Sequence, residues 1–295
     1  MQSSIDQAGD VRRTVSNSAE VIAFPSGGAR PDRPAAGLTV VIPFYNEEDY
    51  LAATLNCFAS QVQAPAEMLL VDNGSTDASA RICTEFKESH PGLPVRILEQ
   101  KTPGKIFALE TACAEIKTEF VAFCDADTLY PPHYLKLAAE LFARDGERLV
   151  AVMAIDVFAD PESGASLLKR YKSCAVSALL AKQCHTGGYG QIFRTSALRE
   201  AGGYSPAYWP YVLEDHEIMQ RILKLGRARY NSNLWCQTSA RRADRSKVSW
   251  TAFEKLLYHC TPFSFKDWYF DRFLAPRMQR RGQNNVSLRH KPWKA

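Results

Sequence analysis

No apolar run in this sequence approaches the roughly 18 uninterrupted residues that a membrane-spanning helix requires. There is no CxxC pair among its eight cysteines (Cys57, Cys83, Cys113, Cys124, Cys174, Cys184, Cys236 and Cys260), which excludes a zinc ribbon or a thioredoxin-type motif. Cysteines this sparse do not make a disulfide scaffold, and each is expected to be a small buried hydrophobe in a reducing compartment. The basic start and apolar stretch of a secretory signal are missing too, so a cytosolic protein is expected. No GxGxxG follows the first apolar run, which disfavours a nicotinamide-dependent dehydrogenase. Nor does a glycine-rich phosphate loop, which disfavours a nucleotidyltransferase; the residues there are Tyr45-Asn46-Glu47-Glu48. No nucleic-acid-binding module is recognisable, and no nucleic-acid partner is expected.

What is present supports a sizeable core, since 46% of the residues are hydrophobic. The net charge of +4 is unevenly divided. From Arg227 onward there are 15 Lys/Arg against 4 Asp/Glu, a net of +11, which leaves −7 for the first 226 residues. The C-terminal part therefore either meets an anionic partner (phosphate, acidic lipid headgroups or nucleic acid) or is a solvated basic tail.

Residues 1–36 are poor in aromatics and dotted with Ser, Gly, Pro and Arg, and they read as a disordered lead-in. Order is expected from Leu38, where a β-branched run ends at Pro43 as a buried strand. Further strands are expected at 68–72, 95–98 and 120–124. Helices should fill 49–61, 104–117 and a stretch ending near Ser89 that Ser75-Thr76-Asp77 would cap. Such alternation predicts an α/β fold with a mainly parallel sheet. Beyond Pro131-Pro132 the alternation fades, with helices at 133–143, 165–181 and 212–225 and extended segments at 149–157, 187–193 and 229–236. After Trp250 aromatics interleave with bases. The divisions expected are 37–130, 131–249 and 250–295.

Ligands of open parallel sheets bind beyond the carboxyl ends of the strands. Those ends carry Asn46 and Glu47, then Asp72 and Asn73, then Asp125 and Asp127. In extended backbone, residues two apart share a side, so Asp125 and Asp127 can approach one hard divalent cation; the alternative is a plain acidic turn. Glu214-Asp215 either caps a helix or supplies a general base that takes a proton from an acceptor hydroxyl, with His216 beside it. Lys105, at a helix start after Pro103-Gly104, is either a phosphate contact or an ordinary exposed lysine. Gly187-Gly188-Tyr189-Gly190 is a tight turn or a place of close backbone approach to a ligand.

The ordered set Val41-Ile42-Pro43-Phe44-Tyr45-Asn46-Glu47-Glu48, Val71-Asp72-Asn73-Gly74-Ser75-Thr76-Asp77, Gly104-Lys105, Asp125-Ala126-Asp127, Gly202-Gly203-Tyr204 and Glu214-Asp215 resembles family 2 glycosyltransferases over Leu38 to Leu225. The resemblance implies a GT-A fold: a Rossmann-like nucleotide-sugar-binding half (37–130) joined to a smaller acceptor-binding half (131–249). It implies one inverting displacement from a UDP- or GDP-linked sugar. Pro43, Asn46, Glu47, Asp72 and Asn73 would line the nucleobase and ribose pocket. Asp125, Ala126 and Asp127 would face the diphosphate, with Mn2+ or Mg2+ on Asp127 and Asp125. Gly188 and Glu214 would lie beside the donor sugar, and Asp215 would be the catalytic base. Lys105, Arg241 and Arg242 are expected at the diphosphate.

Two departures from the family pattern stand out. Asn73 replaces a common second aspartate, and the QxxRW signature of processive members is absent, since Thr238-Ser239-Ala240-Arg241-Arg242 follows Gln237. One sugar per encounter is therefore expected. The acceptor would be a lipid-linked or cell-envelope glycan, and the basic, aromatic segment 250–295 would rest on an anionic membrane at its cytoplasmic face, or else simply pack as a helix. The rival expectation is an inactive glycosyltransferase-like scaffold, which three intact carboxylates at Asp125, Asp127 and Asp215 disfavour.

Overall fold

The computed structural model describes residues 34–157, 160–183, 187–239 and 250–286. Most of the expected lead-in, together with Arg241, Arg242, Cys184 and residues 287–295, lies outside the described residues.

The first half alternates as its sequence suggests: β1 (Pro34–Phe44), α1 (Leu51–Ala59), β2 (Ala64–Asp72), α2 (Ser79–Ser89), β3 (Val95–Glu99), α3 (Lys105–Glu115) and β4 (Phe120–Phe123). Then follow β5 (Thr128–Leu129), α4 (Tyr134–Asp145), β6 (Leu149–Val157), α5 (Gly164–Leu179), β7 (Gln191–Arg194), α6 (Thr195–Glu200), α7 (Glu214–Leu225) and β8 (Arg227–Thr238). The last part is helical, with α8 (Ala252–Cys260), a π-helical stretch Trp268–Leu274 and α9 (Ala275–Arg280).

The strands form one sheet in the order β3-β2-β1-β4-β7-β6-β8-β5. The β1–β2, β1–β4, β2–β3 and β6–β8 pairs are parallel, whereas β7 runs antiparallel to both β4 and β6. Both faces are covered, which is why β1 reads as a near-continuous apolar run. Leu38, Val40, Ile42 and Phe44 point to one face and pack with α1, α2 and α4; Val41 points to the other and packs with α3, α6 and α7. This period of two assigns each strand residue to one of two cores.

A third apolar cluster joins Trp209 and Val212 to Tyr258, Tyr269, Phe270, Phe273, Leu274 and Met278. Part of the aromatic C-terminal segment is thus interior. It is also tied by backbone: Val212 N–H donates to the Gln283 carbonyl (3.1 Å), and the Asn285 amide donates to the Tyr211 carbonyl (2.8 Å).

Three expectations need adjusting. Strand β1 starts at Pro34 and pairs there with Ala64, ahead of Leu38. The Ser75-Thr76-Asp77 cap sits just outside α2; Asp77 accepts the Ser79 N–H (2.9 Å) but is not the N-cap residue, which is Ala78. Cys260 is exposed at the end of α8 and Cys113 and Cys174 are half-buried, so not every cysteine is a core residue. Among the elements the sequence reading did not place are β5 and α6, of two and six residues, and the helices after Trp250, where interleaved aromatics and bases show no clear period.

Candidate active site

The parallel strands β1 and β2 end side by side, with Phe44 opposite Asp72, and deliver their following loops to one edge. Asn46 turns there with a φ of 52°, a left-handed conformation that asparagine tolerates. Its side chain accepts the Thr76 N–H (2.8 Å) and donates to Thr76 Oγ1 (3.2 Å). Glu47 N–H donates to Ser79 Oγ (2.8 Å), and Glu48 accepts the Ala78 N–H (2.9 Å). Asp72 accepts the Ser75 N–H (2.8 Å), closing an Asx-type turn. Asn73 is buried; its amide donates to the carbonyls of Gln100 and Thr102 (2.9 and 2.8 Å) and accepts the Gly104 N–H (2.9 Å). It anchors the loop that starts α3, and Lys105 with it.

The Asp125-Ala126-Asp127 stretch follows β4 as a turn, because the strand ends at Phe123. Strand alternation therefore does not relate the two carboxylates, as the sequence reading assumed. Asp125 receives Lys105 Nζ at 2.7 Å, while Asp127 accepts from Ser239 Oγ (3.1 Å) and from Thr128 Oγ1 (3.4 Å). Both are buried, and the Ala126 carbonyl between them accepts from Thr54 (2.8 Å). The phenol of Tyr130 takes the Asp125 N–H (3.0 Å) and donates to the Tyr189 carbonyl (2.8 Å), linking this turn to the glycine loop before β7.

Opposite stands Asp215, in the first turn of α7. Its two carboxylate oxygens accept the N–H groups of Gly188 (2.9 Å) and His216 (2.8 Å), which fixes the plane of the carboxylate. The Asp215 carbonyl accepts from the Gln191 amide (3.0 Å), itself held by Tyr204 of the Gly202-Gly203-Tyr204 motif (2.7 Å). A Cβ at Gly188 would lie in ordinary contact with Lys105 Nζ (3.4 Å) and Asp215 Cβ (3.6 Å), whereas one at Gly187 would meet the Tyr189 ring at 2.7 Å, so the close approach falls at Gly187. His216 packs against the ring of Trp250 at 4.8 Å.

Between these walls lies a narrow cleft, largely filled by its own side chains and lined by Pro43, Lys105, Asp125, Gly188, Glu214 and Asp215 among others. Lys105 stands in the middle, 3.9 Å from Glu214 as well as in contact with Asp125. Burial pushes the Glu214 carboxyl up to about 7; Lys105 opposes the shift, and Asp215 and Asp125 add to it.

The structure thus brings Pro43, Lys105, Asp125, Gly188, Glu214 and Asp215 to one cleft and sets Asn46, Glu47, Asp72 and Asn73 in the loops at its edge. Arg241 and Arg242 lie outside the described residues. Among the described residues no group of three or more His, Cys, Asp or Glu side chains converges on one metal position. Asp125 and Asp127 offer hard carboxylate oxygens of the kind Mg2+ and Mn2+ take, leaving the rest of the shell to a ligand's phosphates. Sequence reasoning missed Tyr130, Tyr189, Gln191 and Ser239, whose roles depend on partners far along the chain.

Residues 39–201 match the sequence family described as Glycosyl transferase family 2. An uncharacterised glycosyltransferase of Nostoc sp. is 33% identical over 105 residues, 36% of this chain and 32% of that protein. The minor teichoic acid biosynthesis protein GgaA of Bacillus subtilis is 25% identical over 139 residues, 45% of this chain and 31% of that one. The matched part is about a third of these relatives' own length. Among solved structures, the mannosyltransferase PcManGT from Pyrobaculum calidifontis, in complex with GDP-Man and Mn2+, superposes with a TM-score of 0.57 at 22% identity, covering 86% of this chain and 73% of that one. Residues 1–349 of S. aureus TarS, in complex with UDP-GlcNAc, give 0.54 at 21%, covering 86% and 76%. At such identities the likeness is one of fold, the GT-A architecture.

Proposed function

The chain belongs to glycosyl transferase family 2, and from that premise we propose that it moves one sugar from a UDP- or GDP-linked donor to an acceptor hydroxyl, inverting the anomeric carbon. The observation that carries this reading is the cleft itself, with Asp125 and Lys105 on one wall and an oriented Asp215 on the other. Asp215 takes the proton of the acceptor hydroxyl as its oxygen attacks the anomeric carbon. The bond from that carbon to the diphosphate breaks on the opposite face, and the electron pair leaves with the nucleoside diphosphate. Gly188 and His216 keep the base aimed while this happens. Asp125 and Asp127 are the residues that would hold Mn2+ or Mg2+, which when bound supplies positive charge to the departing diphosphate. Lys105 sits where a phosphate would exchange for its present carboxylate partner.

The acceptor we propose is a lipid-linked or cell-envelope glycan, reached at the cytoplasmic face of a membrane. The excess of Lys and Arg after Arg227 supports this through attraction to anionic headgroups. Among the described residues no helix is long and apolar enough to cross a membrane.

The test is a thermal-shift panel of nucleotides and nucleotide sugars, each with Mn2+ and with EDTA. A ligand at a hundredfold excess over its Kd stabilises by about 2.7 kcal/mol. One nucleoside diphosphate and its sugars are expected to raise the Tm only with metal, and Asp127→Ala to abolish the metal dependence. No shift with any nucleotide would favour a non-catalytic scaffold.

A further inference from the structure

Helix α5 is built inside out. Its two buried residues are polar, Ser166 and Arg170, with Cys174 half-buried against Ile155, Val157 and Trp235; the Arg170 guanidinium donates to the Ser232 carbonyl (2.5 Å) and lies over the Trp235 ring. The outward positions, at i, i+3 and i+4 spacing, are Leu168, Tyr171, Ala175 and Leu179. Leu168 is 70% exposed, Tyr171 64% and Leu179 84%. A surface helix ordinarily turns such a stripe to its own core. Exposing it costs free energy unless something apolar covers it.

The stripe is not isolated. At its end the Gln183 amide donates to the Thr261 carbonyl (3.0 Å), and Lys182 Nζ lies 4.5 Å from the centroid of the Phe263 ring. This joins α5 to the turn after α8, whose outer face repeats the pattern with Phe253 (62% exposed) and Leu256 (61%).

Charge identifies the occupant. Helix α5 contains no Asp or Glu, and the one acid of α8, Glu254, is buried and paired with Arg281 (2.8 Å). The exposed charges on and beside the two faces include Lys172, Lys182 and Lys255. Near these faces, exposed acids lie only beyond the helix ends, Asp160 and Glu162 before α5 and Asp267 after α8 among them. Apolar stripes that carry lysines and no exposed acid within the helices suit an interface of acyl chains and anionic headgroups. A two-fold pairing of identical copies would gather both sets of these lysines into one interface with no exposed acid of either helix to pair them, which is unfavourable.

We infer that the outward faces of α5 and α8 together seat the protein on an anionic lipid bilayer. The inference deepens the membrane-facing acceptor reading above and rests on it, but adds the face of α5, which lies outside the basic C-terminal segment on which that reading stands. Seated in this way, the chain takes its acceptor from the plane of the bilayer.

The experiment is co-sedimentation of the full chain with vesicles of phosphatidylglycerol and phosphatidylcholine, against pure phosphatidylcholine, at low and high salt. The variants are Leu168→Gln/Leu179→Gln and Phe253→Gln/Leu256→Gln, all at exposed positions. Each is checked for an unchanged melt and for the nucleotide-induced shift of the wild type. The wild type is expected to bind the anionic vesicles in a salt-sensitive way, and each double variant to partition at least about tenfold more weakly. If the α5 variant binds anionic vesicles as well as wild type, the α5 face is overturned while the membrane reading stands. No binding of the wild type to either vesicle overturns both. A wild-type dimer that the α5 variant converts to monomer would make the face a self-association surface and overturn the inference. The nucleotide shifts report on donor binding independently of all three results.

Discussion

Among the described residues, two other than glycine have a left-handed backbone, and they stand at opposite walls of the cleft: Asn46 with a φ of 52° and Leu213 with 70°. Asn46 is supported by the loop after the adjacent strand β2. Its side-chain amide exchanges hydrogen bonds with Thr76, and asparagine is among the residues that adopt this conformation most readily. Leu213 has no such resource, and for a residue of its type the conformation costs about 1–3 kcal/mol. Its carbonyl accepts the N–H groups of His216 and Glu217 (3.0 and 3.1 Å), as at any helix start, and what holds it from outside is the third apolar cluster, against which its side chain packs. The preceding residues, Tyr211 and Val212, are bonded to Asn285 and Gln283. The wall carrying Asn46 is thus shaped by the neighbouring β2–α2 loop, and the wall carrying Asp215 by the far end of the chain. Strain sits beside the group that has to be aimed.

The largest effect should come from Asp215→Asn. The amide keeps the shape but cannot take a proton, so turnover should fall by about 10²–10⁴-fold while the nucleotide-induced melting shift persists. Normal turnover would remove Asp215 from the base role. The comparison of the two walls is sharpened by a pair of weaker variants. Asn46→Ala removes the bonds to Thr76 and should cost about 1–2 kcal/mol of stability together with some donor affinity, read by thermal melts and nucleotide titration. Asn285→Ala removes a tie to the base wall and should lower kcat several-fold with donor affinity unchanged. The reverse split would break the comparison.

The smallest effect concerns Glu214. Its folded-state carboxyl is raised to about 7 by burial, so between the ordinary carboxylate range and pH 7 the folded protein retains a proton that the unfolded chain has lost. Stability should therefore fall as pH rises through that window and level off above it. Glu214→Gln removes this slope. Relative to wild type it should be more stable at pH 8 than at pH 5 by on the order of 2 kcal/mol, read from urea melts at the two pH values. Parallel pH profiles would show that Glu214 stays ionised in the folded protein.

The legible part of this molecule was the part whose reasons are local. Leu38 to Pro43 and Met68 to Asp72 are strands because both faces are buried, and a doubly buried strand shows as a β-branched run. Asp125, Asp127 and Asp215 were singled out because they stand in order with the other motifs of the family resemblance; taken singly, each also reads as an acidic turn or a helix cap. The function of Asn73 was not legible, since its amide serves three backbone groups between Gln100 and Gly104. Nor was the pairing of Asp127 with Ser239, which no short-range pattern encodes. The aromatic residues after Trp250 showed as composition only. Tyr258, Tyr269 and Phe270 are interior while Phe253 and Trp268 are exposed, a division set by tertiary packing.

One rung of the sheet has a mechanical consequence. Because β7 runs against β4, Phe123, the last residue before the Asp125 turn, pairs with Gln191, the residue that holds the Asp215 carbonyl. The donor side and the base side are therefore fastened to the same rung and stiffened by the Tyr130 bridge beside it. Two plates bolted at the jaw cannot close like a clamshell. Grip on a substrate is left to the loops at the rim, Asn46 to Asp49 and Asn73 to Ala78 among them, where a change would leave the rung intact.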